Sequence, residues 1–244
     1  MKATVIIPCY NSQKWIEECV YSALNQTYSN IEVIVVDNES ADDSVRLLKA
    51  IQEQRPELIL SSAQNIYPNC WDEARTEGFR LMTGDYVLVM GSDDYLEENF
   101  IENCMNIFVK APDKIKALQS PVKGVKEDTG MVVNHIQHSY KNLEQFKSMV
   151  MERCPVNTPT VMYNTELYRE GFLKTYPEKY GGAADYDLYC RLADAGIMIY
   201  PVPAWLGFNY RWHEDQATWK VHKEGVNYDT MIQSYWREKW DLQI

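Results

Sequence analysis

Four short apolar runs constrain what this chain can fold into. Ala3 to Pro8, Ile31 to Val36, Leu58 to Leu60 and Asp85 to Met90 are dominated by aliphatic and β-branched residues, and they lack the strict alternation of a half-exposed strand. Between them lie stretches of helical spacing. Trp15, Ile16, Cys19, Val20, Ala23 and Leu24 recur in the first, Val45, Leu48 and Ile51 in the second, and Trp71, Ala74, Gly78, Phe79 and Met82 in the third. Strands apolar on both faces, joined by helices, imply a parallel sheet covered on both sides. The expected class is α/β, with a mostly parallel central sheet flanked by helices on both faces.

Ligands of such sheets bind beyond the carboxyl ends of the strands. Here the first strand runs into Pro8-Cys9-Tyr10-Asn11, the second into Asp37-Asn38-Glu39-Ser40 and the fourth into Gly91-Ser92-Asp93-Asp94. Three strands thus deliver polar groups to one edge. Two adjacent carboxylates at the tip of a buried strand repel each other and resist desolvation. A divalent cation relieves both penalties, and oxygen donors suit magnesium or manganese. The competing reading is that Asp93 and Asp94 cap a helix beginning near Leu96.

The chain has 244 residues, 45% of them hydrophobic, and a net charge of -11. That acidity argues against nucleic-acid backbones and anionic membrane surfaces. The six cysteines form no CxxC pair and read as reduced core residues of a cytoplasmic protein. The amino terminus enters a strand at once, without a signal peptide, and no apolar run is long enough for a transmembrane segment. With no repeat or low-complexity linker, residues 1–244 are expected to form one domain.

The second half is less regular. Helices are expected over Asn99 to Val109, Asn142 to Met151, Tyr186 to Ala195 and Gly225 to Trp240. Strands are expected over Ile115 to Gln119, Met131 to Ile136, Thr160 to Tyr163 (leading into a helix around Glu166), Ile197 to Tyr200 and Trp205 to Trp212. Leu118 to Gly130 and Tyr176 to Ala184 carry turn residues and read as loops.

Six blocks in this order resemble the inverting glycosyltransferases of family 2, which have the GT-A fold. Val5-Ile6-Ile7-Pro8-Cys9-Tyr10-Asn11 is similar to the opening strand of that family. Ser22 to Tyr28 followed by Glu32 to Asp37 is similar to its second block, and Ala74-Arg75 with Gly78 and Thr83-Gly84-Asp85-Tyr86 to its third. Gly91-Ser92-Asp93-Asp94 stands where the family has its metal-binding DxD motif. Asp185-Tyr186-Asp187-Leu188 with Arg191-Leu192 resembles the helix that carries the catalytic base, and Tyr210-Arg211-Trp212-His213 the C-terminal motif that reaches the metal or diphosphate. The chain departs from the commonest pattern at Asn38 and Gly91, where Asp is frequent, at Thr76, where Asn is frequent, and at Ala184, where Glu is frequent.

The resemblance implies a metal-dependent inverting transfer of a sugar from a nucleotide-diphospho-sugar, a UDP-sugar first among them, to a saccharide or lipid-linked saccharide. Residues 1–95 are then the donor half and 96–244 the acceptor half with its terminal helix. Asp94 is the implied direct ligand of Mn2+ or Mg2+, with Asp93 beside it on the metal or the ribose, and His213 a third candidate for the metal or diphosphate. Asp37 is expected on the uracil or ribose, and Pro8 and Tyr10 frame the base. Arg75 is assigned to the nucleotide or to Asp37, or else to a surface ion pair. Arg211 is assigned to the diphosphate, or is a solvated strand residue. Asp185 is the implied general base, taking the acceptor hydroxyl's proton without a covalent enzyme intermediate; the other reading makes it an N-cap. Asp187 reads as structural and Arg191 as its helix's ion-pair partner. Met231, Tyr235 and Trp236 are expected near one face of the terminal helix, which packs on the domain, forms a homodimer contact or touches the inner face of a membrane. The alternative function is a catalytically inactive nucleotide-sugar-binding partner subunit.

Overall fold

The computed structural model describes residues 1–66, 71–216 and 225–240. The chain runs β1 (Ala3–Cys9), α1 (Ile16–Leu24), β2 (Ile31–Asp37), α2 (Ser44–Gln54), β3 (Ile59–Ser62), α3 (Asp72–Leu81), β4 (Tyr86–Val89), β5 (Tyr95–Leu96) and α4 (Phe100–Lys110). It continues through β6 (Ala117–Gln119), β7 (Val122–Lys126), β8 (Val132–Ile136), α5 (Leu143–Glu152), a 3-10 turn (Thr158–Thr160), β9 (Met162–Asn164) and α6 (Glu166–Arg169). It closes with α7 (Pro177–Tyr180), a second 3-10 turn (Gly181–Ala183), α8 (Ala184–Asp194), β10 (Ile199–Pro201), β11 (Phe208–Trp212) and α9 (Tyr228–Lys239).

Among the described residues, seven strands form the larger sheet in the order β10-β6-β9-β4-β1-β2-β3. All neighbours pair in parallel except β9, which is antiparallel to both β4 and β6. The sheet is therefore mostly parallel, as the two-sided apolar strands require. Alternate residues of β1 feed opposite cores. Val5, Ile7 and Cys9 pack in the cluster that holds Ile16 and Cys19 of α1 and Phe100 of α4, while Ile6 packs in the cluster that holds Phe79 of α3 and Tyr186 and Leu188 of α8. Gly78 lets α3 lie this close: a Cβ there would overlap the Ile6 side chain.

The amino-terminal end of the sheet is pinned by one buried carboxylate. Glu32 accepts hydrogen bonds from Thr4 Oγ1 and the Thr83 amide, both at 2.6 Å, and pairs with Lys2 at 2.5 Å. Burial alone would raise its pKa, but these donors prevail and hold it at about 2.

The stretch Leu118 to Gly130, expected as a loop, contains β7. That strand pairs in parallel with β11 and antiparallel with β8, and with β5 they make a second, four-stranded sheet in the order β5-β11-β7-β8. Pro121, Gly124 and Gly130 read as turn residues, yet Gly124 sits inside the strand because Trp212 and Asn134 crowd the space a side chain would fill. Tyr176 to Ala184, also expected as a loop, holds α7 and a 3-10 turn. On α9, Trp236 is buried against α8 while Met231 and Tyr235 are exposed, so the three do not share one face. Trp219 and Cys70 lie outside the described residues; the other cysteines are free thiols. No described helix is long and apolar enough to cross a membrane.

Candidate active site

The order β3-β2-β1-β4 places a reversal at β1, whose neighbours on either side follow it later in the chain. At such a point the loops beyond the carboxyl ends diverge and leave a crevice. Register fixes which residues rim it. Cys9 is level with Asp37, and the Asn38 amide donates to the Cys9 carbonyl at 2.8 Å. On the other flank Ile6 is level with Val89, and Met90 donates to the Ile6 carbonyl at 3.1 Å, so the chain leaves the sheet into Gly91-Ser92-Asp93-Asp94. Ser12 Oγ and Ser92 Oγ, 2.6 Å apart, tie the turn after β1 to this motif.

Asp93 and Asp94 do not cap the next helix, which begins at Phe100 behind Asn99. Asp94 is 1% exposed, and its Oδ1 accepts the Arg211 amide at 2.9 Å. Burial pushes its carboxyl well above the usual range, and the Asp93 charge adds to that, against the Arg211 amide and guanidinium. Asp93 Oδ2 lies 2.9 Å from His213 Nε2, and the Asp93 carbonyl accepts Arg211 Nε at 2.8 Å. A Cβ at Gly91 would stand 2.5 Å from Asp93 Oδ1 and 3.3 Å from Asp94 Oδ2, so the motif folds over a glycine.

The first turn of α1 braces the opposite side. Glu18 pairs with Arg211 at 2.6 Å, the Trp15 ring lies 4.1 Å from the His213 ring at 37°, and Trp15 Nε1 donates to Glu127 at 2.9 Å. Arg211 is thus buried and paired, not a solvated strand residue. Trp15 and Glu18 carried no functional signal in the sequence: Trp15 fits the apolar stripe of a helix, and a first-turn glutamate is ordinary.

Asp37 lies at the β2 tip with Oδ2 accepting the Ser40 amide at 3.2 Å, while its buried Oδ1 has no hydrogen-bond partner among the described residues. Its neighbour Cys9 is pushed up to about 11 by burial and by the Asp37 charge. Tyr10, 52% exposed, stands free beside it, and Pro8 is half-buried.

Asp185 and Arg75 belong to a different group. Asp185 sits in the first turn of α8 behind Ala183, so it is not the N-cap; its Oδ1 accepts the Tyr186 amide at 2.8 Å and its Oδ2 the Thr158 hydroxyl at 2.6 Å. Burial raises its pKa, opposed by those two donors and by the charge of Arg75. Arg75 pairs with Asp72 at 2.7 Å and donates to Thr175 Oγ1, and its charge acts on Asp185. Thr158 escaped the sequence reading because a Thr in a Thr-Pro-Thr turn has no distinguishing spacing. Asp187 is structural in its contacts, bound by Arg191 at 2.8 Å and by Trp236 Nε1 at 3.0 Å.

The carboxylates of Asp93 and Asp94 are oxygen donors of the kind a hard dication takes, while the His213 imidazole meets the Asp93 carboxylate directly. Among the described residues, no three His, Cys, Asp or Glu side chains are grouped closely enough to hold an ion together, so the protein's share of such a site is the two carboxylates.

The description "Glycosyl transferase family 2" fits residues 4–176 as a family profile. The chain is 28% identical over 194 residues to the chondroitin synthase of Escherichia coli, a match covering 79% of the chain and 26% of that enzyme, so it spans about a quarter of that relative's length. The fold matches Staphylococcus aureus TarS (residues 1-349, in complex with UDP-GlcNAc) with a TM-score of 0.70 and 22% identity, over 93% of this chain and 62% of that one. It also matches the mannosyltransferase PcManGT of Pyrobaculum calidifontis, in complex with GDP-Man and Mn2+, with a TM-score of 0.62 and 17% identity, over 97% of this chain and 69% of that one.

Proposed function

The chain belongs to glycosyl transferase family 2; on that premise we propose that it is a GT-A glycosyltransferase that moves a sugar, with inversion, from a UDP-sugar to a hydroxyl of a saccharide or lipid-linked saccharide. Residues 1–95 take the donor and 96–244 the acceptor. The observation that carries this reading is the rim at the β1/β4 reversal, where Asp93 and Asp94 stand beside Arg211 and His213 while Asp37 offers an unpartnered oxygen on the flanking strand. The UDP-GlcNAc bound by TarS and the Mn2+ bound by PcManGT support a nucleotide-sugar donor and a divalent cation.

Asp37 accepts from the uracil or ribose, and the exposed ring of Tyr10 stacks on the base, with Pro8 at its edge. Asp94, Asp93 and His213 would hold Mn2+ or Mg2+. When bound, that ion supplies positive charge for the negative charge that builds on the leaving diphosphate. Arg211 adds a fixed cation at the same place, held there by Glu18 and the Asp93 carbonyl. Asp185 accepts the proton of the acceptor hydroxyl as that oxygen bonds to the anomeric carbon. The bond from that carbon to the phosphate oxygen breaks, and its electron pair leaves with the diphosphate. One carboxylate opposite the leaving group suffices for a single inverting displacement. Arg75 keeps Asp185 company in charge rather than touching the nucleotide. The terminal helix packs on the domain through Trp236 and the Lys239–Asp194 pair, and its exposed Met231 and Tyr235 are the surface that a homodimer or membrane contact would use.

The test is a panel of UDP-sugars with Mn2+, following UDP release and the anomeric configuration of the transferred sugar by NMR. Inversion is expected, and Asp185→Asn should lower turnover by ~10²–10⁴-fold while changing UDP affinity by less than about twofold. Retention of configuration, or full turnover by Asp185→Asn, rules the base assignment out.

A further inference from the structure

The proposed base does not stand alone. Thr158, in the 3-10 turn before β9, donates its hydroxyl to Asp185 Oδ2 at 2.6 Å, and Tyr189 OH lies 2.9 Å from the same Thr158 oxygen. Tyr189 is one helical turn beyond Asp185 on α8 and has no exposed surface. An ionised carboxylate accepts only, so the single Thr158 proton must point at Asp185. Tyr189 must then be the donor to Thr158, because Thr158 has no second proton to give. The direction of the whole chain, Tyr189 to Thr158 to Asp185, is fixed by this count, and each donor polarises the next.

We propose that Thr158, oriented by Tyr189, is the positioning residue that aims the Asp185 carboxylate at the acceptor hydroxyl and sets its basicity; this rests on reading Asp185 as the base. The Tyr186 amide holds Oδ1 and the Thr158 hydroxyl holds Oδ2, so both carboxylate oxygens are fixed from the protein side. Of the other groups around it, Tyr163 on β9, Tyr189 on α8 and Cys154 beyond α5 are all pushed upward, chiefly by burial, and the charge of Arg75 on α3 acts on Asp185 downward.

The experiment reads the carboxylate directly and turnover separately. In protein labelled with ¹³C at aspartate Cγ, Asp185→Asn assigns the Asp185 resonance, which is then titrated in wild type, Thr158→Val, Thr158→Ser and Tyr189→Phe. In parallel, Mn2+-dependent UDP release is measured from UDP-glucose, UDP-galactose, UDP-N-acetylglucosamine and UDP-N-acetylgalactosamine. Thr158→Val is expected to raise the Asp185 pKa, move the acid limb of the rate profile upward with it, and lower kcat by ~10-fold or more at unchanged donor KM. Thr158→Ser restores both, and Tyr189→Phe gives a smaller shift in the same direction. Because Thr158→Val strands a buried tyrosine hydroxyl and risks misfolding, Tyr189→Phe decides the matter independently. An unchanged Asp185 titration in Tyr189→Phe and in folded Thr158→Val overturns the relay. Full UDP release by Asp185→Asn instead overturns the base reading on which it rests.

Discussion

The Arg211 amide donates to Asp94 Oδ1 at 2.9 Å, joining residues 117 positions apart in the chain. A main-chain donor holds the buried carboxylate and leaves the guanidinium for the Asp93 carbonyl and Glu18. Because the amide belongs to β11, the second sheet sets the position of the acidic motif at the edge of the first. The chain leaving that strand carries His213 two residues later, so one continuous segment delivers both the cation and the imidazole to the rim.

Trp15 should matter to that rim without touching a ligand. Its ring stacks on His213 and its indole N–H is anchored on Glu127. Trp15→Ala is expected to weaken Mn2+ binding by ~10-fold through a loosened His213, with Trp15→Phe retaining most of it. Isothermal titration with Mn2+ in the presence of UDP checks this, and equal affinities for wild type and Trp15→Ala speak against it.

Gly91 is the second test. In this chain a Cβ there meets Asp93 Oδ1 at 2.5 Å. Gly91→Ala should push Asp93 off His213 and weaken Mn2+-dependent UDP binding while costing about 1–3 kcal/mol of stability. Urea melts give the stability and UDP titrations the affinity. Undiminished affinity in Gly91→Ala means the glycine is not what shapes the motif.

Glu32 predicts a pH dependence remote from the site. Its folded pKa of about 2 lies below the ordinary value of 4.5, so its ionised form stabilises the fold. That contribution is present in full above about pH 4.5 and is lost as pH falls toward 2. The shift corresponds to roughly 3 kcal/mol, and Glu32→Gln should lose about 2–3 kcal/mol at pH 7 and much less near pH 3. Denaturant melts at both values decide it; a pH-independent difference means Glu32 acts through packing instead.

Much of this was legible in the sequence, for reasons that differ by element. The four apolar strands and their helices follow from burial on two faces, which leaves a plain pattern in β1, β2 and β4. The strand-tip acids stood out because carboxylates at buried tips are costly. The second sheet was hidden: β7 carries glycine and two lysines, and β5 spans only Tyr95–Leu96. Their pairing is decided by distant partners, so local pattern is silent. Arg75 followed its motif neighbours on paper, whereas in space α3 turns it toward Thr175 and Asp185. Thr158 and Trp15 act through another side chain, and such roles exist only once the chain has folded.

The most direct test of the central claim, that the acidic rim holds a cation which in turn holds the diphosphate, is UDP titration of wild type and Asp94→Asn with and without Mn2+. Wild type is expected to bind UDP far more tightly with Mn2+, raising the melting temperature accordingly, and Asp94→Asn should lose that increment while remaining folded. UDP binding by Asp94→Asn with the full Mn2+ increment, or wild-type binding indifferent to Mn2+, contradicts the account.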